Sequence, residues 1–168
     1  MLINLKPEEI IAAAHHAAVR QSAKAVRTEL GQIKNHKISS QSDFAVNYAG
    51  LLGEYAVARS INAKVDTALM IAGDGGTDMV LNGNTIQIKT NMMPEKVLIF
   101  NQLEQFKTDW AILCSIESAS AVHIHGFISK GKFAKTYYRH DWGYGNRYCV
   151  KAEALAPIEK FYEAIGFT

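Results

Sequence analysis

Cysteine is scarce. The 168 residues hold two, Cys114 and Cys149, far apart and in no C-x-x-C. This argues against a disulfide framework or a thiolate metal site and predicts two buried thiols in a reducing cytosol. Long apolar runs are missing too. No window approaches the roughly 18 residues of a transmembrane helix, and the longest stretches, such as Trp110-Ala111-Ile112-Leu113-Cys114, have strand length. The opening Met1-Leu2-Ile3-Asn4-Leu5-Lys6-Pro7-Glu8-Glu9 lacks the charged-then-apolar order of a signal peptide, so a cytoplasmic protein with no membrane partner is expected. There is no internal repeat, low-complexity tract or linker, and no G-x-x-x-x-G-K-[ST], G-x-S-x-G or H-E-x-x-H occurs. Charge of either sign is nearly balanced, with 18 Lys and Arg against 16 Asp and Glu.

What is present is a globular composition, 48% hydrophobic and 20% charged, which excludes a disordered tail, a collagen-like repeat and a coiled-coil rod. The length suits a single domain spanning 1–168. Residues 7–30 read as a helix: Pro7 suits its first turn, Glu8 and Glu9 its positive end, and Gly31 its stop. Lys24, Arg27, Lys34 and Lys37 at or beyond its C-terminal end read first as dipole complementation. A second helix is predicted from Ser42 or Asp43 to about Ile61. Gly50 and Gly53 lie inside it, each costing roughly 1 kcal/mol against Ala, a cost that close backbone packing would explain. Glu54 puts a charge in the same largely apolar stretch.

Past residue 62 the pattern turns to strands. Lys64 to Ile71 suggests a short strand, followed by a Gly-rich turn in which Asp74 reads as a turn residue. Asp78-Met79-Val80-Leu81 and Thr85-Ile86-Gln87-Ile88-Lys89-Thr90 flank Asn82-Gly83-Asn84, the strongest short hairpin signal. With Asn82-Gly83 as the turn, paired positions sum to 165 and Asp78 lies across from Gln87; with Gly83-Asn84 it lies across from Lys89. Either register puts Asp78, Gln87 and Lys89 on one face. A carboxylate and an amide oxygen suit a hard cation such as Mg²⁺, and a lysine beside them can orient or deprotonate a water. The plainer reading is a cross-strand Asp–Lys pair on an exposed face. Trp110 to Ile116 and Ala121 to Ser129 read as strands, Asn101 to Lys107 as a short helix, Gly131 to Val150 as irregular, and Ala152 to Ile165 as a final helix.

Gly53-Glu54 on a helix, then Asp78, then Gln87-Ile88-Lys89 resembles the PD-(D/E)xK nuclease superfamily, over roughly residues 44 to 130. The resemblance implies an α/β fold: a mixed central sheet flanked by helices, a restriction-endonuclease-like core over about 42–130, and an extra N-terminal helix. It implies a metal-dependent nuclease hydrolysing DNA, and a length of 168 residues, which leaves little room for a separate recognition domain, favours a resolvase, repair or phage type. Asp78 would be the principal ligand of Mg²⁺, for which Mn²⁺ could substitute. Gln87 would ligate through its amide oxygen and Ile88 through its carbonyl. Lys89 would activate the attacking water, and Glu54 would hold a metal-bound water. The sequence departs from the family at Thr77, where Pro is common, and at Gln87, where most members carry an acid. Two rivals follow, an inactive nucleic-acid-binding module of the same fold and a protein-interaction domain. DNA is the expected partner, and a homodimer is compatible with the nuclease reading as with its rivals.

Residues 130–151 hold six basic side chains against one acid, a local +5 in a chain of net +2. Lys130, Lys132, Lys135, Arg139 and Arg147 would neutralise phosphates, while Trp142 and Tyr144 would stack on bases or sugars. The plainer reading is an aromatic cluster under a loop, with solvated lysines. His123 and His125 share a strand face as metal ligands do, but with no identifiable third ligand they read first as strand histidines with hydrogen-bond partners. His15 and His16, adjacent on a helix, are poor joint ligands.

Overall fold

A computed structural model of the chain describes residues 1–29, 42–63, 65, 76–143 and 145–166. Gly31, Lys34, Lys37, the strand over Lys64 to Ile71 (except Val65), Asp74 and Tyr144 lie outside the described residues, as does the side chain of Arg27.

Helix α1 spans Pro7–Glu29 with Glu8 and Glu9 in its first turn. Helix α2 spans Asp43–Ser60, capped by the Ser42 hydroxyl, which accepts from the Ala45 N–H. The stretch Leu51–Glu54 and Ala56–Ala58 of α2 is buried, because α1 covers one side of it and the sheet the other. Gly53 faces that sheet: a Cβ there would collide with Thr90 Oγ1 and touch Cys114 and Ile88. Gly50 meets nothing within 4 Å, so close packing explains only one of the two glycines.

Among the described residues the main sheet has five strands in the order β1-β6-β5-β3-β2, namely β1 Leu2–Asn4, β2 Met79–Leu81, β3 Asn84–Asn91, β5 Trp110–Ser118 and β6 Ala121–Ser129. Only β3 and β5 run parallel; the other pairs are antiparallel. The β2–β3 turn is the two-residue one. Met79 pairs with Ile86 and Val80 with Thr85, and Asn82 and Gly83 take φ 47 and 78, the left-handed pair that matches strand twist. Asp109, at the entry to β5, ties it to β3 by accepting from the Thr85 N–H at 2.8 Å and hydroxyl at 2.7 Å.

A second sheet, order β4-β8-β7, comprises β4 Val97–Phe100, β7 Tyr138–Asp141 and β8 Asn146–Lys151. Helix α3 spans Lys130–Thr136 and helix α4 Ile158–Ala164. Strand alternation divides the core. Ile86, Ile88, Ile112, Cys114 and Ile124 pack with α1, α2 and α4. Ala111, Leu113 and Ile128 pack with Leu98, Phe100, Phe133 and Val150 from the small sheet and α3. The molecule is thus mixed α/β, with α1, α2 and α4 on one face of a mixed sheet and the small sheet with α3 on the other.

Three expectations are corrected. Most of the described residues between 131 and 150 are regular: the Ser129 hydroxyl caps α3 by accepting from Lys132 N–H, Phe133 anchors it in the core, and β7 pairs with β8. The helix expected from Ala152 begins at Ile158, because Phe127 and Ala156 exchange two backbone hydrogen bonds that draw the chain onto β6 first. The helix expected at 101–107 contracts to a 3-10 turn over Leu103–Gln105, after the strand β4. Both cysteines are free and buried; burial pushes the Cys114 thiol up to about 12 and Cys149 up to about 11.

Candidate active site

The hairpin ladder stops at Met79, one residue after Asp78. The Asp78 N–H donates to the Ile86 carbonyl at 2.9 Å. Its carboxylate turns into the vacated ladder position, where Oδ2 accepts from the Ile88 N–H at 2.6 Å. Asp78 therefore reaches the β3 backbone itself, between Gln87 and Lys89, rather than standing on the open sheet face. Gln87 is buried, and its Oε1 has no hydrogen-bond partner among the described residues. Gly76, at φ 100, passes over the Gln87 amide so closely that a Cβ would lie 3.4 Å from Nε2.

Lys89 follows two residues along, on the face toward the small sheet. Its Nζ lies 5.5 Å from the centre of the Phe100 ring, a cation–π contact. It lines a cleft of about 430 Å³ with Asn91, Met93, Ile99, Asn101 and Val46 of α2. Glu54 sits on α2, whose Gly53 touches Ile88 and Thr90, the side chains that alternate with Gln87 and Lys89. Arg20 of α1 grips its carboxylate with Nη1 at 3.2 Å and Nη2 at 3.4 Å. Sequence reasoning missed that clamp, because 34 residues separate the pair.

In the basic segment Lys130, Lys132 and Lys135 are exposed on α3. Phe100, Tyr148 and Arg139 form one row across the small sheet, and the Arg139 guanidinium lies 5.2 Å from the Tyr148 ring centre. Lys89 and Arg139 thus rest on neighbouring rings of the same row. Arg147 is half-buried on β8, and Trp142 packs edge-on to His140 at 4.4 Å. Phe133 and Tyr137 belong to the inner cluster, so the aromatic character of this segment is partly core.

Sequence reasoning also missed the third partner of His123 and His125, which is Glu117. Burial lowers the pKa of both histidines, and the hydrogen bond from Ser115 holds the Glu117 carboxyl below its ordinary value. Among known proteins, no family model and no curated sequence matches the chain. Among the described residues no helix is long and apolar enough to cross a membrane.

Proposed function

We propose that this chain is a metal-dependent nuclease hydrolysing DNA phosphodiester bonds, with a restriction-endonuclease-like core built from α2, the β2–β3 hairpin and β5. One observation carries the reading: the Asp78 carboxylate meets the β3 backbone beside Gln87, whose buried Oε1 lacks a partner among the described residues. A buried acceptor without a donor calls for an explanation, and a hard cation supplies one. Asp78, the Gln87 amide oxygen and the Ile88 carbonyl would hold Mg²⁺ or Mn²⁺, oxygen donors that suit both. The ion would contribute Lewis-acid polarisation of a phosphoryl oxygen. Lys89 orients the attacking water and offsets phosphate charge. Glu54, held by Arg20, is a positioning residue at the α2 side of β3. The exposed cations of α3 with Arg139 and Arg147 line the DNA path, continuing the row on which Lys89 rests.

A second reading, a DNA-binding module without catalysis, is favoured by the neutral Gln87 and by the Asp78 carboxylate's bond to Ile88. The deciding experiment incubates duplex, branched and single-stranded DNA with wild-type protein in Mg²⁺, Mn²⁺ or EDTA. Cleavage is expected only with metal, and Asp78→Ala and Lys89→Ala should abolish it while retaining most affinity, because phosphate contacts elsewhere supply that affinity. Gln87→Glu should tighten metal binding. A wild type that cuts nothing in either metal transfers the case to the binding module. That module still requires affinity that falls with salt, each phosphate contact adding about −0.9 to the log–log slope on duplex DNA. A flat slope removes both readings.

A further inference from the structure

The far end of the β5–β6 hairpin gathers a second set of donors through two register shifts. Leu113 pairs with Gly126 and Cys114 with Ile124, which leaves His125 as an extra residue on β6. Ile116 pairs with Val122 and Ser118 with Ala121, which leaves Glu117 as an extra residue on β5. Bulges re-aim the side chains they carry, and here both turn toward His123, the direct partner of Ser115. One ligating atom from each of Glu117, His123 and His125 lies within 4.8 Å of the other two. The imidazoles stack with centres 4.4 Å apart. The fully buried Ser115 hydroxyl donates to Glu117 Oε1 at 2.7 Å and lies 2.8 Å from His125 Nε2. His123 makes no hydrogen bond through its ring among the described residues, so the reading of both histidines as hydrogen-bonded strand residues holds for His125 alone.

We propose that Glu117, His123 and His125 form a binding site for a divalent transition-metal ion of the Zn²⁺ class, with water completing its coordination. Two imidazoles and one carboxylate are a recurrent zinc donor set that leaves a position open. Imidazole selects such ions over Mg²⁺, so this site and the all-oxygen hairpin site take different metals. Glu117 is exposed, and its carboxylate, already held by Ser115, would draw in with the two imidazoles to metal–ligand lengths of about 2.0–2.2 Å. Ser115 is a positioning residue that holds the carboxylate and one ring, as outer-shell partners of metal ligands do. Two cations oppose the ion: Lys96, and the Met1 ammonium pinned on the Ile124 carbonyl at 2.8 Å.

The test is a calorimetric titration of the full chain with Zn²⁺ in excess Mg²⁺, with visible absorption of Co²⁺ as a second readout. One ion per chain is expected. His123→Ala, His125→Ala and Glu117→Gln should each weaken binding at least tenfold, and Ser115→Ala by about tenfold. Lys96→Ala should tighten it. His140→Ala and Asp78→Ala should leave it unchanged, which separates this site from the hairpin. Glu117→Gln changes one exposed atom, so it reports even where a histidine variant fails to fold. The proposal is overturned if the wild type binds no Zn²⁺, if these three ligand variants bind it as the wild type does, or if the loss follows Asp78→Ala.

Discussion

Gly50 and Gly53 stand three residues apart on α2 and do opposite things. Gly50 has open space where a side chain would go, so it carries only the entropic cost of glycine in a helix. Gly50→Ala should stabilise the protein by up to about 1 kcal/mol. Gly53 lets α2 lie directly on β3, and a Cβ would enter the space of Thr90 Oγ1, with Cys114 and Ile88 close behind. Gly53→Ala should destabilise by about 1–3 kcal/mol through overpacking. Adding Thr90→Ala should recover part of that loss, because the colliding hydroxyl is gone. Urea midpoints of the four proteins check this; a neutral Gly53→Ala would mean that α2 does not bear on β3 at this point.

Individual elements are held by a few long-range polar ties. Asn82, in the β2–β3 turn, donates through Nδ2 to the Ile165 carbonyl at 3.1 Å and the Gly166 carbonyl at 3.2 Å, closing the end of α4. The Arg20–Glu54 pair does the same for α1 and α2. Glu54 is 5% exposed, so removing the guanidinium takes a charge partner from a buried carboxylate. Breaking a fully buried pair costs about 3–5 kcal/mol. Arg20 retains some solvent exposure, so Arg20→Met should cost less, about 2 kcal/mol after screening. The double variant Arg20→Met/Glu54→Met should be more stable than Arg20→Met alone. A double-mutant cycle with no coupling would show that the clamp contributes nothing to docking α1 on α2.

Across the whole molecule, the groups that titrate below neutrality act in one direction with pH. Burial lowers the pKa of His16, His123 and His125 below the ordinary 6.5. His125 faces His123, Lys96 and the N-terminal ammonium, which add to the lowering, and Glu117, which opposes it. Below pH 6.5 the unfolded chain binds protons that the folded chain does not, so stability complete above that value falls as the medium turns acid. Hydrogen bonds from Thr85 and Ser115 lower Asp109 and Glu117, and their stabilisation, present above the ordinary values of 3.8 and 4.5, is lost further down. In EDTA, urea midpoints should therefore decline from pH 7 toward 5 and again below 4.5, without an acid-side maximum. His125→Asn should flatten the first decline; an unchanged slope would remove His125 as its source.

The sequence by itself determined whatever rests on neighbours along the chain. Ser42 beside Asp43 starts α2, Asn82-Gly83-Asn84 marks the hairpin while leaving two registers open, and apolar runs mark β5 and β6, because caps, turn residues and strand patterns are local physics. Part of the candidate site was legible for that reason: the turn brings Asp78 alongside the strand that carries Gln87 and Lys89. Tertiary structure decided the rest. Strand β1 is three residues with no local signal, formed because β6 offers it an edge. Helix α3 docks because Phe133 finds Phe100 and Phe106 at 5.1 and 5.3 Å between ring centres. Asp78 bends into the β3 backbone because the ladder ends beside it. Glu117 joins two histidines only because both strands of one hairpin bulge, and an extra residue in a ladder is set by what each strand packs against.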